Sequence, residues 1–264
     1  MRLYDRDYTS LLPDEREAWQ SLQRQEVVGT IGTSEIRTSR FRDYPKAARH
    51  FEQLFPNNYL DIVELQDESR LSAQLVAFQE LLDSENATER KILDFIRERC
   101  AYFLIGSILK KYFHFGHHSA HLFPEFQLGN SYKVDYLLVG KNSGGWHFVF
   151  VELEAPTGRI TLGNGNLGEV FRNGVAQVDA WETWLEARFN SVTETFAKSK
   201  RPDQPLPDEF GQFDRSRIHF VVIAGRRSDF NDYTYRTCRK SPHLLIHYDN
   251  IVDAAASVIG KATY

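Results

Sequence analysis

The chain has 264 residues, 42% of them hydrophobic and 26% charged, with 32 basic against 36 acidic side chains for a formal net charge of −4. At about 150 residues per domain this is one large domain, or one domain with an extension, and a chain of this length buries enough surface to need no disulfide or metal staple. The composition excludes collagen-like, mucin-like and wholly disordered chains. The mild acidity argues against a passive nucleic-acid coat, and no run approaches the roughly 18 apolar residues that a membrane span needs.

The opening stretch, MRLYDRDYTSLLPDERE, carries acids where a signal peptide needs an apolar run. Cys100 and Cys238, the only cysteines, are too few for a disulfide framework or a cysteine-built zinc site. A reducing cytoplasm is the expected location. Residues 1–82 read as a mostly helical N-terminal extension, with helices over 13–23, 44–55 and 68–82 and a short strand over 59–65.

The periodicity sharpens at residue 83 and predicts a second unit over 83–264. A helix runs through DSENATERKILDFIRERCAYFLIGSILKKY, with Asn86 as a plausible N-cap and Glu89 three residues later. HFGHHSAH (114–121) breaks it. Strands come next at 131–139 and 146–155, joined by the turn KNSGG. A Gly-rich loop (157–168) leads into a helix over 168–189, then a polar linker (198–213), strands over 218–225 and 243–248, and a closing helix over 249–260. This order implies an α/β fold with a mixed central sheet flanked by helices.

The strand over 146–155 is apolar on both faces, with Val149, Val151 and Leu153 on one side and Phe148 and Phe150 on the other, as a central strand covered by helices requires. Glu152 and Glu154 alternate in phase with the phenylalanines, so both carboxylates leave the strand on one face. Even a neutral polar group buried without a partner costs about 2–7 kcal/mol, and like charges side by side cost more. An exposed edge strand would explain the two acids blandly; a divalent cation would explain them chemically. Asp135 lies 17 residues before Glu152 across a short turn, with Lys133 on its own face, so strand pairing can bring the acids together. Oxygen ligands from adjacent strands, with the Leu153 carbonyl, suit Mg²⁺, with Mn²⁺ as its substitute, set against a phosphodiester.

Asp135, then Glu152-Leu153-Glu154 at a strand end, then a helix carrying Gln177, resembles the PD-(D/E)XK nuclease core, here a restriction-endonuclease-like core. It resembles more closely the nuclease domain of the Shedu anti-phage defence proteins, through ATERKILDFI, FPEFQLGNSYKVDYLL, VFVELEAPTGRI, NGVAQVDAWETWL, and VVIAGR with IHYDNIVDAA, over roughly residues 85–258. The resemblance implies metal-dependent cleavage of nucleic acid, DNA foremost, in prokaryotic immunity, and a homo-oligomer. Asp135 and Glu152 match the metal-binding acids, Gln177 the glutamine lining the site, and Glu89 the acid some members supply from the first helix; a plain capping role for Glu89 is the alternative. Glu154 departs from the pattern, because the superfamily usually has lysine there. It could act as general base or as a further ligand, or mark a weakened enzyme that serves as a binding or regulatory module, and Lys133 could supply the missing positive charge.

Gln177, Trp181 and Trp184 share a helical face at i, i+4 and i+7, the tryptophans reading as core before base-stacking platforms. Arg159, after the second strand, and Arg226 and Arg227, within a basic stretch over 215–240, are candidate phosphate contacts; residues 37–50 form a second basic stretch. Gly163 to Gly168 spells GxGxxG, but too far from the preceding strand to open a dinucleotide fold. His114, His117, His118 and His121 read as a polar loop in preference to a zinc site.

Overall fold

A computed structural model describes residues 2–264 except 5, 11, 39, 41, 42, 46–48, 50, 51, 117 and 118. Helix α1 (Pro13–Glu26) opens with Pro13, Asp14 and Glu15 in its first turn, where free N–H groups favour acids and proline costs nothing. It runs directly into a hairpin of β1 (Val27–Ile31) and β2 (Ser34–Arg37), which the sequence patterning did not single out. The helix expected over 44–55 falls partly outside the described residues. The strand expected over 59–65 is not formed. Asp61 accepts a hydrogen bond from the Val63 N–H at 2.9 Å and its carboxylate pairs with the buried Arg49 at 2.7 Å, so the chain turns there. It passes into a single 3-10 turn over Glu64–Gln66, and within 59–65 only Tyr59 bridges to a neighbouring strand.

Helix α2 (Glu68–Asp83) is capped by Asp67, which accepts from the Arg70 N–H. The single long helix expected from residue 83 is broken in two, α3 (Glu89–Glu98) and α4 (Phe103–Ile108), and the latter is prolonged by a π-turn over Leu109–Phe113. The cap of α3 is Thr88, not Asn86, and accepts from Lys91 N–H. The break is a Schellman closure. Ala101 N–H reaches the Ile96 carbonyl and Cys100 N–H the Arg97 carbonyl, with Cys100 at φ +49° in the left-handed position usually given to glycine.

The sheet has the order β3-β4-β5-β6-β7, formed by β3 (Ser119–Leu128), β4 (Tyr132–Asn142), β5 (Gly145–Leu153), β6 (Ile218–Ile223) and β7 (Leu244–Ile246). The first three form an antiparallel meander and the last three run parallel, so the sheet is mixed as expected. The crossovers are α5 (Glu169–Ser199) and α6 (Asp232–Lys240), and α7 (Tyr248–Val258) comes after β7. Strand β3 was masked in the sequence by Pro124, which cannot donate to a ladder; here it lies in the edge strand, where proline is tolerated. Helix α5 extends ten residues beyond its expected end, bending at Arg188 so that Val192 and Phe196 also reach the core.

Val149, Val151 and Leu153 meet Leu71, Phe78, Ile92, Ile105 and Ile251 on one face, while Phe148 and Phe150 meet Phe171, Val178, Trp181 and Phe196 on the other. Both tryptophans of α5 are therefore core, with Trp184 packed over Gly129. Among the described residues no helix is long and apolar enough to cross a membrane.

His121 is sealed between Phe55, Tyr59 and Trp146, and burial holds its imidazole down to about 3. A histidine depressed in the fold takes up its proton only on unfolding, so its stabilisation is complete above pH 6.5 and is lost as pH falls toward the folded value. Between pH 7 and pH 5 this group removes on the order of 2 kcal/mol. His121→Phe is expected to flatten that acid limb, read from urea midpoints at the two pH values; an unchanged slope refutes the assignment. Of the other histidines considered for zinc, His114 takes the left-handed turn after the π-turn, and His117 and His118 lie outside the described residues.

Candidate active site

The hydrogen-bonded ladder between β4 and β5 ends at Tyr136↔Val151. One residue further along, the strands part. Asp135 spans the gap by accepting the Leu153 N–H at 2.8 Å. Beside it stands Glu152, 6% exposed, with Oε1 accepting from Gln177 Nε2 of α5 at 2.6 Å. Its second oxygen, Oε2, is buried and meets no donor among the described residues. β5 stays registered with β6 through Glu152↔Val222 and Leu153↔Ile223, so Glu152 sits on an interior strand and not an exposed edge.

Glu154 sits just past the strand's end with its backbone held from two sides. Its N–H donates to the Ile223 carbonyl at 2.9 Å and its carbonyl accepts from the Tyr248 hydroxyl at 2.6 Å. Its side chain lies against Gly174 of α5, where a Cβ would come within 3.0 Å of Glu154 Cγ and 2.6 Å of Val222 Cγ1. Glycine inside a helix is usually about 1 kcal/mol worse than alanine, so Gly174→Ala would ordinarily stabilise. Here it is expected to cost about 1–3 kcal/mol through overpacking, read as a lower thermal midpoint; a raised midpoint would show that the helix can shift.

Glu89, in the first turn of α3, completes the cluster. Thr88 performs the capping, so Glu89 has no such task. It lines a cavity of about 210 Å³ with Asp135, Lys133, Arg90, Arg97 and Tyr102. Burial first, then the neighbouring carboxylates, raises Asp135, Glu152 and Glu154 above the usual carboxylate range. The strongest effect falls on Glu152, beside Asp135; the half-buried Glu154 is pushed up to about 7. Burial also raises Glu89. The oxygens of Asp135, Glu152 and Glu154 do not all converge within 4.8 Å; among the described residues the group that does is Asp179, Glu182 and His243, from α5 and the segment before β7. There Asp179 pairs with His243 Nε2 at 2.7 Å and Glu182 with Arg215, while His243 Nδ1 is buried without a partner among the described residues.

The cluster thus has two acids on neighbouring strands, a third at the strand end, a fourth in the first turn of α3 and a glutamine from the crossover helix. A family model described as "Shedu protein SduA, C-terminal" matches residues 86–250. The chain belongs to the Shedu family. At family level it is an anti-phage defence protein of nuclease type. No curated protein and no solved structure matches the chain.

The basic candidates are distributed differently from what the sequence suggested. Lys133 lines the Shedu cavity but its ammonium rests on Glu125 at 2.7 Å. Arg159 is exposed on the loop after β5, five residues beyond Glu154. Arg226 does not face open solvent as a phosphate contact would. Its guanidinium donates to the Leu82 carbonyl, to Asp83 and to both oxygens of Asp249, tying the end of α2 to the start of α7. Arg227 is paired with Asp253 at 2.5 Å. In the stretch over 37–50, Arg37 pairs with Glu35, Arg40 with Asp43 and Arg49 with Asp61, while Arg42 and Lys46 lie outside the described residues.

The GxGxxG segment forms a small closed loop, with Thr161 bridged to Leu167 and Gly165 packed on Tyr233. Gly163 stands in open space, while Gly168 lies so close to the Arg159 carbonyl that a Cβ would stand 2.0 Å away. Sequence reading passed over Arg90 and Arg97, although Glu89, Leu93 and Arg97 at i, i+4 and i+8 share a helix face. No sequence pattern marks Tyr248.

Proposed function

We propose that this Shedu protein is a divalent-metal-dependent nuclease that hydrolyses phosphodiester bonds of DNA. The observation carrying the reading is the buried Glu152 carboxyl set against that of Asp135, its Oε2 meeting no N–H or hydroxyl donor among the described residues while Asp135 Oδ2 accepts the Leu153 N–H. In its charged form such a pair is costly unless a cation lies between the two acids, and in the metal-free protein a retained proton takes that place. The donor set is all oxygen, which fits Mg²⁺, with Mn²⁺ as a substitute. Asp135, Glu152 and the Leu153 carbonyl would hold the ion, with Glu89 facing it from α3. When bound, such an ion supplies charge neutralisation on the phosphate and a more acidic water.

The rest falls to the chain's own groups. Gln177 fixes the Glu152 carboxylate by its hydrogen bond to Oε1. Glu154, clamped through its backbone and free at its carboxylate, takes the proton of the attacking water in the role lysine usually fills. Lys133, Arg90 and Arg97 line the cavity, the first paired with Glu125 and the two arginines with Asp94, and would have to exchange those acids for the phosphate in order to orient it.

The test uses supercoiled plasmid and an RNA transcript of matching sequence, each with Mg²⁺, with Mn²⁺, and with chelator. Plasmid nicking that chelator abolishes supports the reading. Cleavage of RNA alone reassigns the substrate. Binding without cleavage of either, in every metal, favours a regulatory module with a degenerate site.

A further inference from the structure

The β1–β2 hairpin forms a two-stranded sheet separate from the central one. Every residue of β2 is exposed, and Ile31 and Ile36 are 72% and 43% accessible. Thr30 pairs with Glu35 and Gly29 with Ile36. The alternation therefore sets Ile31 and Ile36 on one face and Glu35 and Arg37 on the other. Ile36 Cδ1 lies over Gly29, at 3.8 Å from where its Cβ would be, which gives the isoleucine little cover. A two-stranded ribbon alone in water is marginal. No described residue pairs with the outer edge of β2, and such an edge is a template for another strand.

We propose that the outer edge of β2 pairs antiparallel with β2 of a second copy of this chain, about a two-fold axis through Ile36. The sequence Ser34-Glu35-Ile36-Arg37-Thr38 is self-complementary under that operation. Ile36 faces Ile36 of the partner subunit, Glu35 faces Arg37 of the partner subunit, Arg37 faces Glu35 of the partner subunit, and Ser34 faces Thr38 of the partner subunit. Glu35 and Arg37 already pair along the strand at 2.7 Å, so each charge gains a second counter-charge. Sliding the register by two residues sets Glu35 against Glu35, or Arg37 against Arg37, which is unfavourable. A strand of uniform charge meets one of the two residues with the wrong sign; the strand itself does not. The result is a four-stranded antiparallel sheet, β1-β2-β2-β1, with Ile31 and Ile36 of both copies on one face, an isologous contact of the kind closed dimers use.

Sedimentation equilibrium of the full chain tests this without reference to cleavage. Glu35→Arg sets two arginines against each other at both ends of the contact and is expected to raise the subunit dissociation constant about tenfold or more. The double variant Glu35→Arg/Arg37→Glu restores opposite charges and is expected to recover association. Both positions are exposed, so folding is not at stake. In a Cys100→Ser background, which removes the exposed thiol, Ile36→Cys is expected to form a disulfide-linked dimer on mild oxidation, and Thr30→Cys is not. The proposal is overturned if the wild type does not associate, if Glu35→Arg associates as the wild type does, if the double variant is no better than the single, or if Ile36→Cys gives no cross-link.

Discussion

Replacing Glu152 by glutamine is expected to lower cleavage about 10³-fold while raising the stability of the metal-free protein. The two effects share one cause. Glu152 is buried beside Asp135 and holds its proton well above the carboxylate range because burial and the neighbouring acids both disfavour its charge. An acid whose folded-state affinity for protons exceeds that of the unfolded chain gives a native state that binds more protons. Stability then falls as pH rises from the ordinary carboxylate range toward the raised folded value. Glutamine removes that liability and keeps the size, so the midpoint of the metal-free variant is expected to rise by about 2–4 °C at pH 8 for each kcal/mol recovered, with little change at pH 4. The same carboxylate would be needed to hold the cation, and losing it forfeits several kcal/mol of charge stabilisation on the phosphate. Thermal scans at pH 4, 6 and 8 beside a plasmid-nicking assay check both. A variant that is inactive but no more stable than the wild type at pH 8 would show that the acids are not in conflict.

Glu154→Gln is expected to cost about 10²–10⁴-fold in turnover, the usual worth of a positioned general base, with metal affinity little changed. Its side chain has the room Gly174 leaves it, and glutamine fits that room. Titrating Mn²⁺ distinguishes the roles. A base cannot be replaced by more metal, so the rate should remain low at saturation; recovery at high Mn²⁺ would make Glu154 a ligand. Glu154→Lys recreates the commoner residue at this strand end and tests whether the fold, with Lys133 already held by Glu125, accepts a lysine there. Wild-type rates in Glu154→Gln at every metal concentration would make it a bystander.

The carboxylate cluster was legible because a strand has period two. Phe148, Phe150, Glu152 and Glu154 declare a shared face whatever packs upon it, and β5 is interior as its apolar faces required. Gln177 was legible for the corresponding reason on a helix. What the sequence hid were choices between near-equivalent local solutions. Asn86 and Thr88 are both good caps, and the fold uses the threonine. Cys100 at a helix end looks like any interior residue until its positive φ is seen. Strand β3 was obscured by Pro124, whose meaning depends on whether the strand is central or at an edge, a property of the whole sheet. Arg226 belonged to a basic stretch in sequence and to an ion-pair clamp in space, because its acids come from α2 and α7, far away along the chain.

The two-sided grip on the Glu154 backbone also orders events in time. One hand is Ile223 on β6; the other is Tyr248, 94 residues further along the chain than Glu154. During synthesis, Asp135, Glu152 and Gln177 all leave the ribosome before either hand exists. A nascent chain therefore carries the acids of the candidate site before it carries either group that holds the Glu154 backbone. On the proposed function, a chain that stops short of Tyr248 is expected to hold the acids but to lack half of the grip on Glu154.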